Sequence, residues 1–132
     1  MKKLLIFLIV TASIFSIVAC KEENEPACKA GTGGNVTLVI SPAHHANPIP
    51  GATVYIEFNT QTNAGAVSNY DLTVEGDASE DHIHVDGLRC GEYFIYAVGF
   101  DSSISQTVFG GIPFVIQQGQ SGEIDVHVPV IE

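Results

Sequence analysis

From Gly34 onward, apolar residues recur mainly at every second position, the period of a strand whose side chains alternate between two faces. Val36, Leu38 and Ile40 alternate with Thr37 and Val39, and Val54, Ile56 and Phe58 alternate with Tyr55 and Glu57. Leu72 and Val74 flank Thr73, while Ile83 and Val85 sit between His82, His84 and Asp86. Ile124, Val126, Val128 and Val130 alternate with Glu123, Asp125 and His127, and Phe114-Val115-Ile116 is a short apolar run. Tyr93 to Val98 is apolar on both parities, as expected of a central strand covered on both faces. Turn residues separate these runs: Asn47-Pro48, Asn63-Ala64-Gly65, Glu75-Gly76-Asp77, Asp86-Gly87, Gly110-Gly111 and Gln118-Gly119-Gln120. No stretch beyond Cys20 combines a 3.6-residue period with helix caps. Seven short strands at regular spacing predict one all-β domain over residues 35–132, a seven-stranded antiparallel β-sandwich.

The amino terminus follows a different pattern. Met1-Lys2-Lys3 is followed by fifteen uncharged residues, Leu4 to Val18. A spanning helix needs roughly 20 apolar residues, so this run is short for a span and has the layout of a secretory signal. It ends in Ile17-Val18-Ala19-Cys20, which resembles the lipobox of bacterial lipoproteins, where a small residue precedes a cysteine that takes lipid on its sulfur before cleavage. The resemblance implies a signal peptide over residues 1–19 and lipid on Cys20, with the membrane as partner through that lipid; ordinary secretion with a free Cys20 is the alternative. Residues 20–34 are polar, charged and glycine-rich and read as a lipidated, flexible tether. Their start, Lys21-Glu22-Glu23, resembles the signal that carries some lipoproteins to the outer membrane and its outer face.

Cleavage before Cys20 leaves 113 residues, enough for one domain and one core. Losing Lys2 and Lys3 leaves three basic residues against fifteen acidic ones, a formal charge of −12. That sign repels phosphate backbones and anionic headgroups, so nucleic acid is excluded as a partner and membrane attachment falls to acyl chains. With Cys20 assigned to lipid, Cys28 and Cys90 remain in a chain bound for an oxidising compartment. A bridge between them would close a long loop and stabilise the fold by about 4 kcal/mol; the alternative is two separate buried thiols.

Pro48-Ile49-Pro50-Gly51-Ala52-Thr53-Val54 resembles the opening of carboxypeptidase-regulatory-like domains. Val85-Asp86-Gly87-Leu88-Arg89-Cys90-Gly91-Glu92-Tyr93 resembles their Leu-x-x-Gly-x-Tyr segment, and Val98-Gly99-Phe100 the motif that follows it. The resemblance spans about residues 36–100 and implies a transthyretin-like (prealbumin-like) sandwich in which Gly51 turns the chain into a strand, Gly91 starts the central one and Tyr93 packs inward. It also implies a binding or structural module without catalytic residues, with a neighbouring envelope protein as a candidate partner.

The sharpest polar feature is Asp81-His82-Ile83-His84-Val85-Asp86. On a strand, His82 and His84 project from one face about 6–7 Å apart, a workable two-ligand spacing for Zn²⁺ or Cu²⁺. A third ligand is required, and Asp81, Asp86, the Asp125-His127 strand and the loop pair His44-His45 offer candidates in the sequence. The other open reading makes His82 and His84 the solvated face of an amphipathic strand, with no cofactor expected. The His-Ile-His segment also resembles that of intradiol dioxygenases, which complete a ferric site with two upstream tyrosines; Tyr55 and Tyr70 lie upstream here. The Arg-Pro that leads into that segment in the family is replaced by Glu80-Asp81. The Tyr-Arg-Gly-Ser motif of transthyretin-like hydrolases, a Gly-x-Ser-x-Gly elbow and a phosphate-cradling loop are all missing from the sequence. A row of Tyr55, Tyr70 and Tyr96 would suit a glycan or peptide if the rings align. The expectation is a non-enzymatic, envelope-anchored binding module, with metal binding at His82 and His84 as the alternative and a non-haem iron enzyme as the distant one.

Overall fold

The computed structural model describes residues 28–132; the signal-peptide reading and the lipidation of Cys20 lie outside the described residues. The strands are β1 (Thr32–His44), β2 (Asn47–Pro48), β3 (Thr53–Phe58), β4 (Leu72–Glu75), β5 (Ile83–Leu88), β6 (Gly91–Asp101), β7 (Gln106–Ile116) and β8 (Gly122–Pro129). They form two four-stranded sheets packed face to face. In the first, β1 is central, with β8 along one edge and both β2 and β5 along the other; the second has the order β4-β3-β6-β7.

Alternation places the core. Val36, Leu38 and Ile40 of β1, Val54 and Ile56 of β3, Tyr93, Ile95 and Ala97 of β6, and Val126 and Val128 of β8 are all buried between the sheets. The expected seven strands are joined by an eighth, the two-residue β2. Asn47-Pro48, read as a turn, bridges instead to the end of β1, pairing His44 with Asn47 and Ala43 with Pro48. The expectation of a purely antiparallel sandwich is corrected at β8, which runs parallel to β1 from Val36↔Gly122 to Ala43↔Pro129. Alternation tells which face is buried and carries no information on which way a neighbouring strand runs. The direction is set by the crossover at residues 117–121, which takes the chain from the second sheet to the first.

Two expected turns lie inside strands. Opposite β1 the register steps from Leu38↔Val85 to Val36↔Leu88, so β5 carries one extra residue, a β-bulge at Asp86-Gly87. Gly87 takes the left-handed conformation there (φ 72°). The bulge resets the alternation, so that Val85 and Leu88, three apart, both face the core. Gly110 and Gly111 lie within β7, and a Cβ on Gly110 would collide with the Pro129 carbonyl oxygen. The chain after β8 crosses there to the second sheet, where Phe109 and Ile131 exchange backbone hydrogen bonds of 2.8 and 2.9 Å. The small residues admit a close backbone approach rather than making a turn.

The last part of the expected tether also differs. Residues 28–34 dock on the sandwich instead of hanging free: β1 begins at Thr32, and Ala30 and Gly31 are buried. Cys28 is bridged to Cys90, with their Cα atoms 5.1 Å apart. Arg89 N–H donates to the Gly31 carbonyl at 2.9 Å, and Ala30 N–H donates to Asn59 Oδ1 at 2.9 Å. The buried Tyr93 hydroxyl donates to the Arg89 carbonyl at 2.6 Å and accepts from Gly31 N–H at 3.1 Å. Those bonds satisfy a phenol that burial would otherwise strand.

Candidate functional site

His84 projects outward from β5 between the buried Ile83 and Val85, and His82 immediately precedes the strand. Their rings stand edge to face with centroids 5.0 Å apart, and both side chains are over a third exposed. Asp81 lies 2.8 Å from His82 Nδ1; this hydrogen bond raises the His82 pKa and lowers that of Asp81. Of the neighbours expected to complete the site, Asp81 is in place beside His82, while Asp125 and His127 lie farther off. Val39 of β1 pairs with both His84 and Asp125, so β1 stands between the histidines and the Asp125–His127 pair, two strand spacings or about 10 Å. The nearest acid on β8 is Glu123, 4.0 Å from His84 Nδ1. Tyr55 points from the outer face of the second sheet and Tyr70 packs on it, while His82 and His84 lie on the outer face of the first. These four residues therefore form no common iron centre.

The tyrosines do align. Tyr55 on β3 pairs across the sheet with Tyr96 on β6, and Tyr70, from the loop before β4, folds onto both. The three centroids are 5.9 to 6.3 Å apart, with Tyr70 and Tyr96 near parallel. Phe109 of β7 extends the row 6.4 Å beyond Tyr96. Burial pushes the Tyr70 phenol up, and the nearby Glu57 carboxylate adds to it; the Tyr70 hydroxyl donates to Asn63 Oδ1 at 2.9 Å. Beyond this cluster, Phe94, Tyr96, Phe109, Gly111, Pro129 and Ile131 line a shallow groove of about 390 Å³. Ile131 is 61% exposed and Phe109 43%. On the far side of Ile131 a mainly apolar cleft of about 750 Å³ runs along Ala43, Ala46, Val128 and Val130, with His45 and His127 also in its wall. The sequence pointed to the three tyrosines; Phe109 and Ile131 escaped notice because both fell in segments without alternation.

A third cluster closes one end of the sandwich. His44, the last residue of β1, is buried, and its Nδ1 meets Asp101 Oδ2 at 2.8 Å. Asp101 ends β6, so this contact ties the two sheets together. Its other oxygen accepts from Ser103 N–H at 2.8 Å and Ser103 hydroxyl at 2.6 Å. The Ser103 bonds, then the one to His44, hold the Asp101 carboxyl down at about 2, and the Asp101 bond raises the His44 pKa. A Glu132 carboxylate oxygen lies 2.8 Å from His44 Nε2, a contact that also raises the His44 pKa and lowers that of Glu132. His45 packs beside it, ring centroids 4.3 Å apart. Among the described residues, His44, His45 and Glu132 are the one group of three His, Cys, Asp or Glu side chains whose ligand atoms all lie within 4.8 Å of one another. The adjacent histidines were visible in the sequence as loop ligands. Asp101 and Glu132 were not, because no spacing rule links residues so far apart in the chain.

Comparison with protein-family models, curated proteins and solved structures returned no match.

Proposed function

We propose that the chain is a lipoprotein of the bacterial envelope, held at the outer membrane by lipid on Cys20, whose sandwich is a non-catalytic module that docks a neighbouring envelope protein. The observation that carries the docking reading is the apolar surface on both sides of Ile131, where Phe109 and Ile131 stand exposed beside Tyr96, Phe94 and Pro129. Exposed aromatic and aliphatic groups gathered in one place, with charged residues absent from the lining, have the composition of an interface core. The groove suits a protein better than a glycan. Its polar side chain, Asn63, has its carbonyl oxygen already occupied by Tyr70 and Gly65, leaving a sugar ring few hydrogen bonds. A chain carrying −12 favours a partner whose apolar segment is flanked by basic residues.

The transthyretin-like relationship belongs to the same proposal. It is supported by the places of the residues that carry the resemblance: Tyr93 packs inward, and Gly91 opens β6 where a Cβ would strike the Ala30 backbone.

Phe109→Glu puts a charge at the centre of the groove on a side chain that leaves the core intact. In detergent-solubilised envelopes, the native protein is expected in a complex larger than its own mass and the variant as the lone protein with unchanged thermal unfolding. Identical complexes for both would overturn the docking reading.

A further inference from the structure

We propose that His44, His45 and Glu132 form a binding site for a borderline divalent cation, Zn²⁺ or Cu²⁺, with Asp101 as the residue that positions His44. The argument starts from His44. Its side chain is 7% exposed, and its two ring nitrogens have different surroundings. Nδ1 is held by Asp101, which is itself fixed by both bonds from Ser103. Nε2 is buried, lies 2.8 Å from Glu132 Oε2, and faces a surface cleft of about 270 Å³. A metal-ligating histidine characteristically gives its other ring N–H to a carboxylate, which fixes the tautomer and leaves the free nitrogen aimed at the ion. The Asp101–His44 pair has that arrangement.

His45 supplies the second imidazole at a conformational cost. His44 pairs with Asn47, so His45 and Ala46 are the two central residues of a tight hairpin turn, and both are left-handed (φ 49° and 69°). Such turns favour Asn-Gly. Here a histidine and an alanine occupy the strained positions, and the histidine ring is brought against that of His44. The ligand atoms of His44, His45 and Glu132 lie within 4.8 Å of one another. A tetrahedral ion with bonds near 2.0–2.1 Å holds its ligands about 3.4 Å apart, so closure needs roughly an ångström of movement. His45 and Glu132 are exposed and free to supply it, while His44 stays fixed. Two nitrogens and one carboxylate leave a fourth position for solvent, the donor set of an accessible zinc or copper site.

The full chain, purified without a histidine tag and stripped of metal, would be titrated with Zn²⁺ against a chromogenic chelator. One equivalent is expected to bind with a dissociation constant of about micromolar or tighter. His45→Ala and Glu132→Gln should each weaken binding at least tenfold in metal-free protein whose cooperative unfolding shows that it remains folded. His82→Ala combined with His84→Ala should leave the affinity as it was. Absence of Zn²⁺ binding up to about 100 µM would overturn the proposal. So would unchanged affinity in the His45 and Glu132 variants, or a loss that follows His82 and His84 instead.

Discussion

Cys90→Ala is expected to lower the unfolding free energy by about 2–4 kcal/mol. The bridge to Cys28 spans 62 residues of sequence, and opening it returns conformational freedom to the unfolded chain. In the folded state, the segment it secures carries Ala30 and Gly31 against the core and supplies partners to Arg89 N–H and the Tyr93 hydroxyl. Loosening that segment exposes the Tyr93 phenol to solvent. For a domain of this size each kcal/mol moves the midpoint by about 4–8 °C, so a fall of about 8–30 °C is expected. Cys28→Ala should give a similar loss, and the double variant little more than either single one, because one bond is broken in every case. Thermal and denaturant unfolding of the three variants measures this. A loss below about 0.5 kcal/mol in the single variants would contradict it.

Cys20→Ser, combined with an ordinary secretory cleavage site so that residues 1–19 are still removed, is expected to move the protein from the membrane fraction to the soluble one almost completely. Lipid attached there is the proposed anchor, and a chain with fifteen acidic residues against five basic ones is repelled by anionic headgroups rather than held by them. Docking of the chain from Cys28 onward changes the geometry originally read for the tether. Only eight peptide steps separate Cys20 from Cys28, a reach of at most about 30 Å, so the lipid would keep the sandwich close to the bilayer. Fractionation after a high-salt wash measures the anchoring, because screening removes electrostatic adsorption and leaves acyl anchoring in place. A Cys20→Ser protein that had been cleaved normally and still remained with membranes after the wash would contradict the lipid assignment.

The strands were legible where burial on one face imposes a two-residue period. Val36-Leu38-Ile40, Val54-Ile56 and Val126-Val128 announce both their strand and their inward face. Most of β7 was not legible, because Gly110 and Gly111 look like a turn until the backbone passing over them is seen. Nor was the bulge at Gly87, where the usual turn signal Asp-Gly sits inside a strand and rephases it. The parallel course of β8 leaves no trace in the alternation. The clusters were legible only in their local parts. Adjacent His44 and His45, or the tyrosines at strand positions, can be named from sequence, but their companions Asp101, Glu132, Phe109 and Ile131 come from distant elements brought together by sheet packing. The pair that stood out most, His82 and His84, keeps Asp81 beside it but is separated from Asp125 and His127 by the full width of β1.

Site-specific photo-crosslinking in intact cells tests the docking account most directly. A photoreactive group replacing Phe109 in the full-length protein would lie in the groove, and one replacing Asp125 would lie on the outer face of the other sheet. The account predicts a discrete crosslinked protein from position 109 and none from position 125. No product from position 109, or the same products from both positions, would contradict it.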